Sequence, residues 1–368
     1  MFKTSKTRIL IISCTIILAL LGVLFVYSAS KYSANGQYGD KFFYMKKQLV
    51  GVILGVVGMF VTSKVNYKIY KKFYIAFYVI GIVLLALVFV PFLSKSSYGA
   101  TRWIAIGGIT IQPSEIAKFC LIIFLSTYLS KIETINTIKR LIFVLFLGGI
   151  YLIEIMLEPN MSITICVGMT LLFMLFISGL KLTTFALLDV PILALGVVLV
   201  ILEPYRLSRI VAFVNPWKNP LEEGYQLIQS LYAIGSGGLF GVGIFNSRQA
   251  RLFLPFAESD FIFSIIAEEI GFIGSVCVLL VYLILIISIF KVGIKAKDKY
   301  GTFLCFGIGA ILSLQVLVNI AVVTGSIPPT GLPLPFISAG STSLLVFMSA
   351  IGVVLNVDRQ SRKSKTLN

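Results

Sequence analysis

A chain of 368 residues with no histidine must do its proton chemistry through carboxylates, lysine, tyrosine or cysteine. The stretch Leu252–Gly274, LFLPFAESDFIFSIIAEEIGFIG, brings Asp260 to the mouth of an apolar run and carries Glu268 and Glu269 into it. Carboxylates in a bilayer-spanning segment are costly unless they face protein or water, so they mark function. Asp260 reads as a proton-accepting base, or more plainly as a helix N-cap. Glu268 and Glu269 lie about 12–14 Å further along a helix rising 1.5 Å per residue, too far to share one reaction centre, and read as structural.

Glu115 and Lys118 are three apart and share a helical face. Either they form a self-neutralising structural pair, or Lys118 stands beside Asp260 and an anionic substrate, where an ammonium would keep the carboxylate ionised. Glu154 and Glu158, four apart, repel unless a cation is near or one is protonated. Asp189, close to Pro191, reads as a group that satisfies a kink. Arginines are plentiful around the central stretch: Arg206, Arg209, Arg248 and Arg251, with Arg102 beside Trp103. Guanidinium forks match phosphate oxygens. One base with several cations and no metal motif does not suit glycoside hydrolysis, which pairs two carboxyls to protonate its leaving group. Glycosyl transfer from a lipid diphosphate needs only charge stabilisation of the leaving group and one base.

The elements that position these groups are membrane spans. Hydrophobic residues make up 58% and charged ones 12%, with a mean hydropathy of +0.99. A soluble domain carries about twice that charge. Apolar runs of ~20 residues are expected at Ile9–Ser30, Gln48–Ser63, Phe73–Leu93, Ser114–Ser130, Leu141–Leu157, Ser162–Ser178, Thr183–Leu202, Phe261–Phe290, Thr302–Gly325 and Ile337–Asn356. The expected fold is therefore an all-α polytopic membrane protein of about ten transmembrane helices. Residues 1–356 form one integral domain, and 357–368 a basic, disordered cytoplasmic tail. Lys64, Lys68, Lys71, Lys72, Lys131, Lys139, Arg140 and Lys181 fall on the side of the N-terminus, which places both termini in the cytoplasm. The net charge of +16 is then explained by orientation and anionic headgroups rather than nucleic acid. A large extracellular loop, Glu203–Asp260 between helices 7 and 8, is structureless and functional. The five cysteines sit singly in apolar runs and imply no metal or disulfide.

Several long motifs, in order, resemble the SEDS family (shape, elongation, division and sporulation), the FtsW/RodA/SpoVE proteins. They are GATRWIAIGGITIQPSEIAKF (Gly99–Phe119), LEP (Leu157–Pro159), NPWKNPLEEGYQLIQSLYAIGSGGLFGVG (Asn215–Gly243), SRQARLFLPFAESDFIFSIIAEEIG (Ser247–Gly271) and TGLPLPFISAGSTSLL (Thr330–Leu345). The DFIF stretch and the Gly352–Asn356 ending look closer to the FtsW/SpoVE branch. Departures from the family pattern are Asn160 after Glu-Pro, Gln249-Ala250-Arg251 for Gln-Lys, and Ala339-Gly340-Ser341 for Tyr-Gly-Gly. The resemblance implies a peptidoglycan glycosyltransferase that polymerises lipid II in division or sporulation, embedded in the bacterial plasma membrane as a multi-pass protein. It implies Asp260 as catalytic base and Arg102, Trp103, Glu115 and Lys118 as substrate-binding residues; the outer arginines Arg209, Arg248 and Arg251 are added to the substrate-binding set as cations suited to the diphosphate. It leaves open Mg2+ or Mn2+ at the diphosphate, expects no organic cofactor, and implies a class B penicillin-binding protein as partner, with membrane lipids around it. A lipid II flippase would use the same polar cavity but should expose substrate-contacting charge on both sides. A non-catalytic membrane scaffold would need no buried carboxylates.

Overall fold

The computed structural model describes residues 6–97, 100–106, 109–201 and 204–365. The side chains of Asp189 and Arg206 lie outside what is described, so the expectations for them do too. Helices α1 (Lys6–Tyr38), α2 (Phe43–Lys64), the short α3 (Lys68–Lys72) and α4 (Tyr74–Ala86) lead to a three-stranded antiparallel sheet, β1 (Ser94–Ser97), β2 (Ala100–Ile106) and β3 (Ile109–Ile111), in that order. There follow α5 (Pro113–Lys131), α6 (Ile138–Leu157), α7 (Met161–Ile177), α8 (Leu182–Ile201), α9 (Pro204–Val214), α10 (Tyr225–Gly237), α11 (Ile262–Ile294), α12 (Lys299–Val323) and α13 (Ser341–Lys365). Among the described residues, six helices are long and apolar enough to cross a membrane, namely α1, α2, α6, α11, α12 and α13; Tyr74–Phe89 and Met161–Ile177 are shorter apolar segments.

Three expectations are corrected. The fold is predominantly helical, as expected, but the all-α reading left out one small sheet: the run ATRWIAI followed by ITI is rich in β-branched and aromatic residues and pairs Ile104 with Ile111 and Trp103 with Lys95. The long loop is not structureless, since α9 and α10 lie within it. Residues 357–365 are not disordered but continue α13. Buried Asn356 donates to the Ser63 carbonyl (2.7 Å) and accepts from the Tyr67 amide (3.0 Å), while Asp358 pairs with Arg362 at 3.0 Å. Polar contacts with neighbouring segments thus replace the apolar burial that ends near Asn356.

Helix α13 lies closely on α2 because small residues face each other: a Cβ on Gly352 would fall 2.0 Å from Thr62 Oγ1. The connection between α12 and α13 runs buried and non-helical through Leu332, Leu334, Phe336 and Ile337. Away from water such a segment must find partners for its backbone. Prolines remove some donors, and side chains from five helices take the carbonyls. Arg209 of α9 donates to Pro329 (2.9 Å), Ser162 of α7 to Thr330, Asn319 of α12 to Leu332 (2.7 Å), Tyr282 of α11 to Pro335, and Gln48 of α2 to Ser338 (3.2 Å).

Helix α11 is broken at Gly271, whose φ of 67° and ψ of −170° interrupt the ladder. The freed carbonyls of Glu268 and Glu269 accept from the amides of Val242 (2.9 Å) and Gly243 (3.0 Å), and Phe272 and Ile273 donate to Gly238 (2.9 Å) and Leu239 (3.2 Å). The loop Gly238–Gly243 is therefore stitched into the break. A side chain at Gly271 would strike the Gly241 nitrogen at 2.4 Å.

Candidate active site

Asp260 ends the long loop two residues before α11. It is not the N-cap: Phe261 holds that position, with no side-chain cap. What fixes Asp260 is its backbone. The carbonyls of Glu258, Ser259 and Asp260 each accept a hydrogen bond in turn, from the Ala339 amide (2.9 Å), Ser338 Oγ (2.5 Å) and Asn319 Nδ2 (2.8 Å). Ser338 Oγ also accepts from the Leu334 amide at 2.7 Å, so the α12–α13 connection and the loop before α11 form one clamp. The carboxylate faces Gly331, where an added Cβ would lie 3.2 Å from Asp260 Oδ2 and where φ is +74°. Glycine meets both demands, close approach and a left-handed backbone.

Burial pushes the Asp260 carboxyl up from 3.8 to about 6, against the charges of Arg209 and then Arg102 and a hydrogen bond from Ser259. The group is partly open to the surface, yet sunk deep enough among protein atoms for lost solvation to prevail. Neighbouring Glu258 is raised by burial, with the Asp260 charge adding to it. A carboxylate with its pKa near working pH, two guanidiniums beside it and a rigid backbone is equipped to accept a proton next to an anionic leaving group.

The other expected residues are brought to this centre unequally. Arg102 reaches the α6–α7 turn, donating from Nε to the Glu158 carbonyl (3.3 Å) and from Nη2 to the Pro159 carbonyl. Trp103, next on β2, is half-buried and points to the opposite face of the sheet. Lys118 is buried in α5, bonded to Glu115 (2.8 Å) and Gln315 (2.9 Å) with the Phe347 ring 4.3 Å away. Among the described residues, the cations whose charge bears on Asp260 are Arg209 and Arg102. Gln315 and Asn319 are one turn apart on α12, so the Lys118 pair lies one layer from the Asp260 clamp.

Glu158 is buried with both carboxyl oxygens unpartnered, and burial pushes it to about 8 despite Arg102, with Glu154 adding to the rise. The cation that the Glu154–Glu158 conflict called for is Arg102, whose charge opposes the rise. Glu268 accepts from Ser247 Oγ and the amides of Arg248 (2.9 Å) and Gln249 (3.3 Å), and Glu269 accepts from Ser28 Oγ. Glu269 also accepts from the Ser247 amide at 3.4 Å, so both carboxyl groups hold backbone. Arg248 and Arg251 line a separate open cavity of about 480 Å3 with Val242, Asn246 and Phe253. Asn319, Ser338 and Gly331 were not singled out from the sequence. The available signal was a lone amide, Asn319, four residues after another, Gln315, in an apolar helix.

A family model described as "Cell cycle protein", that of FtsW, RodA and SpoVE, matches residues 8–363. The stage V sporulation protein E of Bacillus subtilis (strain 168) is 41% identical over 363 residues, covering 98% of this chain and 99% of that protein. The probable peptidoglycan glycosyltransferase FtsW of Coxiella burnetii is 40% identical, covering 94% of this chain and 95% of that one. Among solved structures, a chain from work on the structural coordination of polymerization and crosslinking by a peptidoglycan synthase complex superposes with a TM-score of 0.78 at 26% identity, covering 95% of this chain and 97% of that chain. The rod shape determining protein RodA of Thermus thermophilus shares the fold, with a TM-score of 0.72 at 24% identity over 95% of this chain and 96% of that one. On a match spanning nearly every residue, this chain belongs to the FtsW/RodA/SpoVE family of multi-pass bacterial membrane proteins.

Proposed function

We propose that the chain is a peptidoglycan glycosyltransferase that polymerises lipid II in division or sporulation wall synthesis. The observation that carries the mechanism is Asp260, held by three successive carbonyl bonds beside Arg102 and Arg209. Asp260 takes the proton from the 4-hydroxyl of the acceptor N-acetylglucosamine. That oxygen bonds to C1 of the donor N-acetylmuramic acid, and the C1–oxygen bond to the lipid diphosphate breaks with its electron pair leaving on undecaprenyl diphosphate. Inversion at C1 gives the β-1,4 linkage. Arg102 and Arg209 stabilise the charge that grows on the diphosphate.

Among the described residues no three Cys, Asp or Glu side chains gather to hold a metal. A Mg2+ or Mn2+ ion here would draw most of its oxygen ligands from the diphosphate and water, in the way Mg2+ commonly sits on phosphates.

In this reading the chain crosses the membrane about ten times with both termini in the cytoplasm, and the Asp260 loop faces outward, where the acceptor is delivered. A class B penicillin-binding protein is the fitting partner, since a similar chain comes from a complex that couples polymerization to crosslinking. The deciding experiment is polymerisation of labelled lipid II by purified protein, alone and with that partner. Wild type should make glycan and Asp260→Asn none at equal expression; an active Asp260→Asn would remove Asp260 as the base.

A further inference from the structure

Glycan polymerisation joins two lipid-anchored molecules, so two diphosphates must be held while one base works. Only one of them leaves. The donor's diphosphate is bonded to the carbon under attack and belongs at the base. The acceptor's attacking hydroxyl sits on its outer sugar, two pyranose rings from its own diphosphate. At about 1.5 Å per bond those rings span on the order of 10 Å.

The cations divide in the same way. Arg102 and Arg209 act on Asp260. Arg248 and Arg251 line the cavity of about 480 Å3 described above, and Asp260 is not among its lining residues. The backbone of that cavity is anchored where Glu268 Oε1 accepts from the Arg248 amide at 2.9 Å. Glu268 is six residues past Ile262, the first of α11, which at 1.5 Å per helical residue is about 9 Å along the helix, and Asp260 stands two residues before that start.

The cavity is built to take an anion. Glu268 spends its carboxylate on Ser247 Oγ and the amides of Arg248 and Gln249, beneath the arginines rather than upon them. Among the described residues the ion pairs are Lys46–Asp40, Lys68–Asp298, Lys118–Glu115 and Arg362–Asp358, and none involves Arg248 or Arg251. Arg251 only overlies the Tyr32 ring, at 6.0 Å. Two unpaired guanidiniums facing one opening suit a diphosphate. The same segments expose Phe240 (79%) and Leu252 (70%), apolar surface that suits the isoprenoid chain on which the diphosphate rides.

We propose that the Arg248–Arg251 cavity is a second lipid-diphosphate subsite, which holds the acceptor by its diphosphate while its outer sugar reaches Asp260. This assignment rests on the glycosyltransferase reading. It is tested by counting undecaprenyl diphosphate molecules bound to the full chain by native mass spectrometry, with phosphatidylglycerol as competitor, beside lipid II kinetics. Wild type and Asp260→Asn should bind two, Arg248→Gln/Arg251→Gln one, and the charge-preserving Arg248→Lys/Arg251→Lys should recover part of the second. In polymerisation the double Gln variant should raise KM about tenfold or more, as expected for lost charged hydrogen bonds, with a smaller fall in kcat. Two ligands retained by the double Gln variant would overturn the subsite. So would displacement of the second ligand by phosphatidylglycerol, which would make the cavity a general headgroup site. If wild type binds two ligands, loses one in the double Gln variant and never polymerises, the subsite stands as a diphosphate site and the enzymatic reading falls.

Discussion

The Asp260 carboxyl combines two opposed demands, burial that disfavours its charge and arginines that favour it, and settles at about 6. A base must be unprotonated to accept a proton, so kcat/KM should fall as pH drops through about 6 and level off above it. A pH–rate profile of polymerisation checks this, and a limb near 4 would mean that burial does not govern the group. Asn319 acts on the same residue from behind, through its 2.8 Å bond to the Asp260 carbonyl and its 2.7 Å bond to Leu332. Replacing it by the similarly sized Leu should lower kcat roughly 10–100-fold with little change in KM, the mark of a displaced base rather than a lost substrate contact. Asp260 was legible in the sequence because a carboxylate at the mouth of an apolar run is conspicuous. Its clamp was not, because three of its bonds end on main-chain carbonyls, which every residue carries alike. Lys118 was legible in part: spacing put it on a face with Glu115, which it meets at 2.8 Å, but could not say that Gln315, 197 positions on, would accept a second hydrogen bond from it.

Elements were legible where one pattern dominates and obscure where two compete. The apolar runs appear as helices, with the first carried on to Tyr38, whose ring stacks on Phe43, and the last to Lys365 by polar contacts that hydropathy does not register. The hairpin was missed because ATRWIAI has the length of a connection between spans, although its β-branched and aromatic content favoured strand. The break in α11 was hidden too, since a glycine within an apolar helix is commonplace. Gly271→Ala should force a Cβ into the Gly241 nitrogen and a left-handed φ onto alanine, at roughly 2–4 kcal/mol. The expected readout is a lower melting midpoint together with faster amide exchange at Val242 and Gly243, whose bonds to Glu268 and Glu269 would be lost. Unchanged exchange there would mean that the loop is held by other contacts.

At the scale of the whole molecule, the membrane class followed from composition alone, while the number of spans rests on the apolar runs and their orientation on where the basic residues lie. Orientation can be measured directly. In intact cells an impermeant thiol reagent should label Trp217→Cys, whose side chain is 55% exposed in the loop before α10, and should reach Lys295→Cys only after lysis. The reverse pattern would invert the topology. The interruption of α11 bears on depth as well. Phe272–Ile294, the part after the break, has 23 residues, about 34 Å at 1.5 Å each, which spans a hydrocarbon layer of about 30 Å unaided. The segment before it, bearing Glu268 and Glu269, therefore need not enter the oil. It can stand as a pedestal at headgroup level, its two buried carboxyl groups held by protein hydrogen bonds, where a water-borne sugar can meet a lipid-borne leaving group without either crossing the boundary.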